Sequence, residues 1–508
     1  MNAFIDFYAA PPGLTAHAAP LLVIGPLIAA CAAALSPSTR SAWMISVGGT
    51  IFAFWMALCL AGEVARNGVV NYYMGGFAPP LGIAFRIDAL GVMFALLISG
   101  IGVMAALFSG HTLEAEIMKG KRRLYQSGFL LCVAGLLGLS ATGDAFNAFV
   151  FLEVSSIGTY ALIGVGVDRR ALPAAFNYLV MGTIGATFFV IGVGFLYAAT
   201  GTLNMADMSG RLATLGDSRV VEAGFAFIVI GLGLKAAMFP LHGWLPAAYA
   251  YAPSLMGVFL SATATKAALY LMARFLFTVF GPHLDFVGLF LTWVMAPVAG
   301  AAAIICSAQA IFQTDIRRIL AFSSVAQVGY IMLGVSMASA EGVSAGLFHL
   351  FNQALIKSAL FMALGGLAFN IKATKLSDFS GVGRTAPWTM TAFAIGTFSL
   401  AGVPLTAGFL SKWRLIEAAF AAHWLWAVGV IAVSSLLGLI YAGRMLETIF
   451  FRAPVSEERA GEARFGVLVP LWILAAASVW YGLDASLPVD LSTAAAQALG
   501  LAPAGAAP

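Results

Sequence analysis

Residues 231–266 read GLGLKAAMFPLHGWLPAAYAYAPSLMGVFLSATATK. The run opens as an apolar helix carrying Lys235, meets Pro240, His242 and Pro246, turns at Tyr251-Ala252-Pro253, and re-enters an apolar run carrying Lys266. Pro240 has no N–H, so the carbonyl of Ala236 loses its helical partner and the pyrrolidine ring clashes with that turn. A broken helix at membrane depth is tolerated only where protein or water re-satisfies the freed backbone. An ammonium one turn before such a break is costly, and ionisable groups inside a membrane point to function. The stretch predicts half of an ion path.

Working outward, the composition puts the whole chain in a bilayer. Of 508 residues, 61% are hydrophobic and only 9% charged, with a mean hydropathy of +0.95. A soluble domain would carry about 25% charged residues. Apolar runs of spanning length fall near 20–35, 43–61, 88–109, 125–142, 146–166, 174–199, 221–247, 254–279, 286–308, 318–337, 343–370, 387–415, 423–446 and 466–483. The fold class is therefore an all-α polytopic membrane protein of about fourteen helices, the seventh and twelfth broken by Pro240 and Pro404. With the N-terminus outside, cytoplasmic loops hold 16 Lys and Arg and outer loops 5. The inner set includes Arg122, Arg317, Lys372 and Arg459; the outer set includes Arg219; Arg274, near a span end, falls in neither. That bias follows the positive-inside rule and predicts both termini outside, in the cell inner (plasma) membrane. The opening MNAFIDFYAAPPG lacks the basic segment of a cleavable signal.

Four of the eight lysines (Lys235, Lys266, Lys357 and Lys412) lie inside spans, and Glu153 is the one comparably deep glutamate. At an offset of 171, Asp144, Phe151, Val154, Gly158 and Leu162 meet Asp315, Phe322, Val325, Gly329 and Leu333. The Pro240 break has a counterpart at Pro404 in FSLAGVPLTAGFLSKW, ahead of Lys412. Two units of five helices, spans 4–8 and 9–13, contain an odd number each, so the second must insert inverted, as in secondary transporters with midplane ion sites. The chain divides accordingly: 1–123 for the first three spans, 124–280 and 281–447 for the two repeats, and 448–508 for the last loop, helix and tail.

Glu153 and Lys235 lie on different helices, and a carboxylate–lysine pair between them is the first expectation. A purely structural pair is the alternative, but buried ion pairs seldom repay their desolvation. Lys266 lies too deep in its span to snorkel. His349, Gln353 and Lys357, in GLFHLFNQALIKSALF, are spaced by four and share one helix face. Imidazole, amide and ammonium on one stripe can hold a file of water, and burial with nearby charge sets which groups keep a proton. His242 follows the break and could bond the freed carbonyl. Asp168-Arg169-Arg170 and Asp315-Ile316-Arg317-Arg318 read as positive-inside anchors, and Trp43, Trp388, Trp424 and Trp480 as interfacial ones. The other histidines, His17, His111, His283 and His423, fall in or near loops and are given no role. Cys31, Cys59, Cys132 and Cys306 are isolated in apolar runs and read as packing residues, with neither an iron–sulfur nor a zinc spacing. No GxGxxG, P-loop or HExxH occurs, so no cofactor, metal or catalytic centre is expected on this chain.

GLKAAMFPLHGWLPAAYAYAPSLMGVFLSATATKAALYLM, TDIRRILAFSSVAQVGYIMLG and HLFNQALIKSALFMALGG resemble the antiporter-like subunit family. That family comprises the proton-pumping membrane subunits of respiratory complex I, of related membrane hydrogenases and of Mrp-type Na⁺/H⁺ antiporters. The likeness covers roughly residues 70–450. It implies that Glu153 and Lys235 are the coupled glutamate–lysine pair, Lys266 the connecting lysine, His349 and Lys357 the central relay, and Lys412 the terminal lysine of the second broken helix. Many relatives carry a second histidine where this chain has Gln353, and several have Asp or Gly at the position of Ala247. GFLYAATGTLNMADMS and the length look most like the D-type subunits of Mrp antiporters. The resemblance implies a proton-translocating subunit of a multisubunit monovalent cation (Na⁺)/H⁺ antiporter, partnered by other membrane subunits. The alternative is a proton-pumping subunit of an NADH-quinone oxidoreductase or membrane hydrogenase, with redox centres on other chains. A stand-alone carrier or scaffold is a third class.

Overall fold

Twelve helices among the described residues are long and apolar enough to cross a bilayer. They are α1 (Ala18–Leu35), α2 (Thr39–Asn67), α3 (Ala89–Glu116), α4 (Arg122–Ala141), α5 (Ala145–Gly164), α6 (Ala171–Thr200), α8 (Ser254–Arg274), α9 (Ala296–Phe312), α10 (Ile316–Ser336), α11 (Ala340–Gly366), α13 (Leu425–Leu446) and α14 (Phe465–Leu483). Two further helices are each interrupted: α7 (Arg219–Lys235, resuming at Leu245–Tyr251) and α12 (Pro387–Ala401, resuming at Ala407–Ala421). The interruptions fall at Pro240 and Pro404, as expected from the sequence. The computed structural model describes residues 15–215, 218–281, 284–367, 374–454 and 461–501. The opening segment 1–13, His283, Lys372 and Arg459 lie outside the described residues.

Local chemistry sets the helix starts. The carboxylates of Asp88, Asp144 and Asp315 each accept from backbone N–H groups in the first turn of α3, α5 and α10, and Ser339 does the same for α11. Each satisfies donors that have no partner within the helix. α8, α10 and α11 are almost wholly buried, whereas α6, α13 and α14 keep broad outer faces. Polar and ionisable side chains inside a membrane face the bundle interior, and the three buried helices carry Lys266, Gln327, His349 and Lys357.

The five-helix repeat appears in packing as well as in residue identity. A Cβ on Gly158 of α5 would lie 2.8 Å from Cys132 Sγ and 3.6 Å from the Gly128 carbonyl oxygen of α4. A Cβ on Gly329 of α10 would lie 2.6 Å from the Ala299 oxygen and 2.9 Å from the Ala303 nitrogen of α9. Residues 128, 132 and 158 and residues 299, 303 and 329 are related by the same offset of 171. Bridge pairing repeats too: Asp144 pairs with Asn204, and Asp315 with Lys375.

Some elements go beyond the all-α expectation. Val70–Tyr73 and Ala84–Ile87 form an antiparallel hairpin with Val70 opposite Ile87. Met205–Leu215 and Ser486–Ala498 are short amphipathic helices. At 11 and 13 residues they are too short to span, so a search for long apolar runs passes over them. Trp43 is also more than an interfacial anchor, since its indole N–H donates to the Ala106 carbonyl at 2.8 Å.

Candidate proton path

Glu153 and Lys235 meet. Lys235 Nζ donates to Glu153 Oε1 at 2.7 Å, to Ser156 Oγ at 2.8 Å and to Tyr160 Oη at 3.3 Å. All three ammonium donors therefore have oxygen partners on α5. Glu153, Ser156 and Tyr160 are spaced by three and four, so they share one face of that helix. Lys235 is also the last residue of the first half of α7, where the negative end of the helix dipole favours a cation.

The break that follows is built from irregular backbone. Ala237 takes φ 53°, a left-handed conformation costing an L-residue about 1–2 kcal/mol. Met238 N–H turns back to the Gly233 carbonyl, and the indole of Trp244 donates to the Leu234 carbonyl at 3.0 Å. At the Leu234 carbonyl the side chain serving the broken backbone is thus Trp244, while His242 meets the Pro240 backbone and Gln309 within the break. The His242 ring also stacks on Phe239, with Nε2 4.0 Å from Cys306 Sγ. Lys266 is buried in α8 and donates to the carbonyl of Ser261 on its own helix.

The central stripe lies between α10 and α11. His349 Nε2–H donates to Gln327 Oε1 at 2.7 Å, and Nδ1 is 2.9 Å from Ser411 Oγ of α12. Lys357 Nζ donates to the Leu320 carbonyl at 2.8 Å and to Ser323 Oγ at 2.5 Å. Gln353 stands between them, fully buried, and neither its amide N nor its amide O has a protein partner. Such a group costs about 1–3 kcal/mol unless something polar meets it.

Lys412, in the second half of α12, reaches back across the other break. Its Nζ donates to the Ala401 carbonyl at 2.9 Å and the Leu400 carbonyl at 3.4 Å, and lies 5.3 Å from the Tyr330 ring centre. Those carbonyls are the unpaired C-terminal acceptors of a half-helix. Gly402, at φ 89°, closes that half-helix, and a Cβ there would lie 3.1 Å from Lys412 Cδ. Leu405, beside Pro404, takes φ 70°, so each break holds a non-glycine residue in the left-handed region. Tyr330 also packs on the His349 ring at 5.4 Å, joining the terminal lysine to the central stripe.

Several residues of the candidate path escaped the sequence reading. Ser156 and Tyr160 follow Glu153 by three and seven positions in the same span, and Ser323, Gln327 and Tyr330 form a polar stripe on α10 that helical spacing alone would have shown. Arg274, assigned to neither side of the membrane, forms a buried bidentate pair with Asp88, at 2.5 and 2.7 Å, tying α8 to the start of α3. The supposed loop anchors are also more specific. Arg317 donates to the Ala252 carbonyl at 3.3 Å and to Ser254 Oγ at 3.2 Å, and Glu116 accepts from Ser254 N and Oγ. The guanidinium of Arg170 lies 4.5 Å from the Tyr251 ring centre and holds the exposed carboxyl of Asp168 below the usual carboxylate range by hydrogen bonding. Both arginines grip the turn between α7 and α8.

Residues 142–438 match the family described as NADH:quinone oxidoreductase/Mrp antiporter, TM. The chain is 40% identical over 495 residues to NADH-quinone oxidoreductase subunit N of Desulforudis audaxviator, covering 92% of this chain and 96% of that one. It is 30% identical over 435 residues to the D-type subunit of the Na⁺/H⁺ antiporter of Alkalihalophilus pseudofirmus, covering 85% and 86%. Among solved structures, an archaeal membrane-bound sulfane sulfur reductase contains a chain superposing with TM-score 0.87 at 33% identity, over 95% of this chain and 98% of that one. A chain of the Mrp complex from Dietzia superposes with TM-score 0.87 at 27% identity, over 96% and 97%. Family, relatives and superpositions agree that this chain belongs to the NADH:quinone oxidoreductase/Mrp antiporter transmembrane family, as a polytopic antiporter-like membrane subunit.

Proposed function

We propose that this chain is the proton-translocating subunit of a multisubunit monovalent cation/proton antiporter, with Na⁺ as the coupled cation, and that protons pass through Glu153, Lys235, Lys266, His349, Lys357 and Lys412. The observation that carries the reading is the run of buried ionisable side chains, each held by a few hydroxyls or carbonyls, with the unpartnered amide of Gln353 between two of them. A buried polar atom without a protein partner calls for ordered water, and water at Gln353 would join His349 to Lys357. Glu153 supports the multisubunit part. Its side chain is 18% exposed and stands in a stripe with the exposed Phe146, Val150 and Ile157. A carboxylate facing lipid is costly, so a neighbouring membrane subunit is the fitting cover. The complex would lie in the inner (plasma) membrane with both termini of this chain outside.

A second reading has its own support. The 40% identity to an NADH-quinone oxidoreductase subunit and the likeness to a sulfur reductase chain favour a proton-pumping subunit of a redox-driven complex. Everted vesicles from cells lacking their own antiporters, expressing the complete complex, distinguish the two. Collapse of an imposed pH gradient on adding Na⁺ is the antiporter result. No response to Na⁺, with gradient formation on supplying a reductant and an electron acceptor, would replace it with the redox-driven reading.

A further inference from the structure

The contacts around Lys235 close into a ring. Lys235 Nζ donates to Tyr160 Oη at 3.3 Å. The Tyr160 ring meets Tyr178 of α6 edge to face, at 4.6 Å between centres and 82°. Tyr178 stacks flat on Trp244, at 4.0 Å and 1°. The Trp244 indole N–H donates to the Leu234 carbonyl at 3.0 Å, and Leu234 is bonded to Lys235. Tyr178 is 4% exposed and Trp244 3%. Trp244 stands beyond the break, so the stack joins the two halves of α7 to the helix that supplies Glu153.

We infer that Tyr178 and Trp244 are positioning residues that hold Lys235 against Glu153, fixing the backbone at Leu234 from one side and the Tyr160 hydroxyl from the other. The inference rests on the proposed proton path and adds to it the part that sets where its first lysine stands. Neither residue touches Glu153 or Lys235 by a hydrogen bond, so their influence passes through Tyr160 and Leu234. Packing alone would call for two apolar rings. The indole donor aimed at the last turn before the break adds a directional constraint, since a buried N–H takes a partner whenever it can. The ionisable groups around Lys235 are Glu153 and Tyr160 on α5 and Tyr178 on α6; His242 lies in the break, and Lys266 of the adjoining α8 is engaged with its own helix. Of these only Glu153 carries opposite charge. Loosening the clamp therefore weakens the one ion pair that favours the ammonium form, and a higher proton concentration is needed to load Lys235.

The test uses the complete complex in everted vesicles, with proton uptake measured across a pH series at matched levels of assembled protein. Trp244→Phe keeps a ring on Tyr178 and removes the donor. Loss of one hydrogen bond predicts uptake about threefold to tenfold slower, with the half-saturating proton concentration raised. Tyr178→Ala should act in the same direction, and Tyr178→Phe, which preserves the stack, should restore both values to those of the unmodified protein. A purely structural role would lower the amount of assembled complex and leave the half-saturating concentration unchanged. Unaltered proton dependence in both Trp244→Phe and Tyr178→Ala overturns the inference. Glu153→Gln measured alongside separates the two failures: if it conducts normally the proton path itself falls, and if it is inactive while Trp244→Phe is unaltered only the clamp falls.

Discussion

Gln353 sets the sharpest expectations at the scale of single residues. It can orient water but cannot store a proton, and it stands between two groups that can. Gln353→His should retain transport, since imidazole accepts and donates on the same stripe. His349→Ala should slow proton uptake without stopping it, because water can fill the volume left by the ring. Both are checked by uptake in vesicles at equal complex levels; complete loss in Gln353→His would mean that the amide does something imidazole cannot. Glu153→Gln should abolish coupled transport in complexes that still assemble. Removing one partner of a buried pair costs about 3–5 kcal/mol, so assembly must be measured with it. The lysines, Glu153 and His349 could be read from sequence because a charge or imidazole in an apolar run is conspicuous. Their hydroxyl and amide partners, Ser156, Tyr160, Ser323 and Gln327, could not be paired with them, since each pair joins residues far apart in the chain. Asp88 and Arg274 escaped for another reason: both stand near span ends, where a charge looks interfacial.

At the scale of helices, spacing and prolines were enough to place the spanning segments and both breaks. The way each break is held was not legible, because Trp244 and Lys412 act across the gap on carbonyls of the preceding half-helix. The repeat makes a graded prediction. Gly329→Ala pushes a Cβ to 2.6 Å from a backbone oxygen of α9, whereas Gly158→Ala meets the sulfur of Cys132 at 2.8 Å, an atom that can rotate away. Overpacking of this kind costs about 1–3 kcal/mol, and Gly329→Ala should lie at the upper end. Thermal unfolding of the two purified variants measures the order, and the reverse order would contradict the packing described. Asp88→Asn would leave Arg274 buried without its counter-charge, again about 3–5 kcal/mol. Glu447→Gln at the exposed pair with Arg452, 3.2 Å apart, should cost about 1 kcal/mol or less. Equal loss of thermal stability at both sites would remove the Asp88–Arg274 pair from the account.

At the scale of the whole molecule, the buried helices α8 and α11 carry three of the six residues of the proposed path, Lys266, His349 and Lys357, while α5 brings Glu153 to an edge that suits a neighbour. Sequence could show that the charges existed and which spans held them; the central helices are also less hydropathic than α6, α13 and α14, a signal that a search for apolar runs of spanning length does not use. The bias of 16 inner to 5 outer basic residues predicts Arg122 and Arg317 on the cytoplasmic side and Arg219 outside. Single cysteines at these positions, in a protein freed of its own, should react with an impermeant thiol reagent from outside only at position 219. Labelling of position 122 in intact cells would reverse the topology. The central claim is that protons cross through the buried stripe of α11, and Lys357→Met tests it most directly, since no other group on that face can replace the ammonium. With the complete complex present at the unmodified level in everted vesicles, proton uptake by this variant should be abolished; uptake at the unmodified rate would show that the conducting path runs elsewhere.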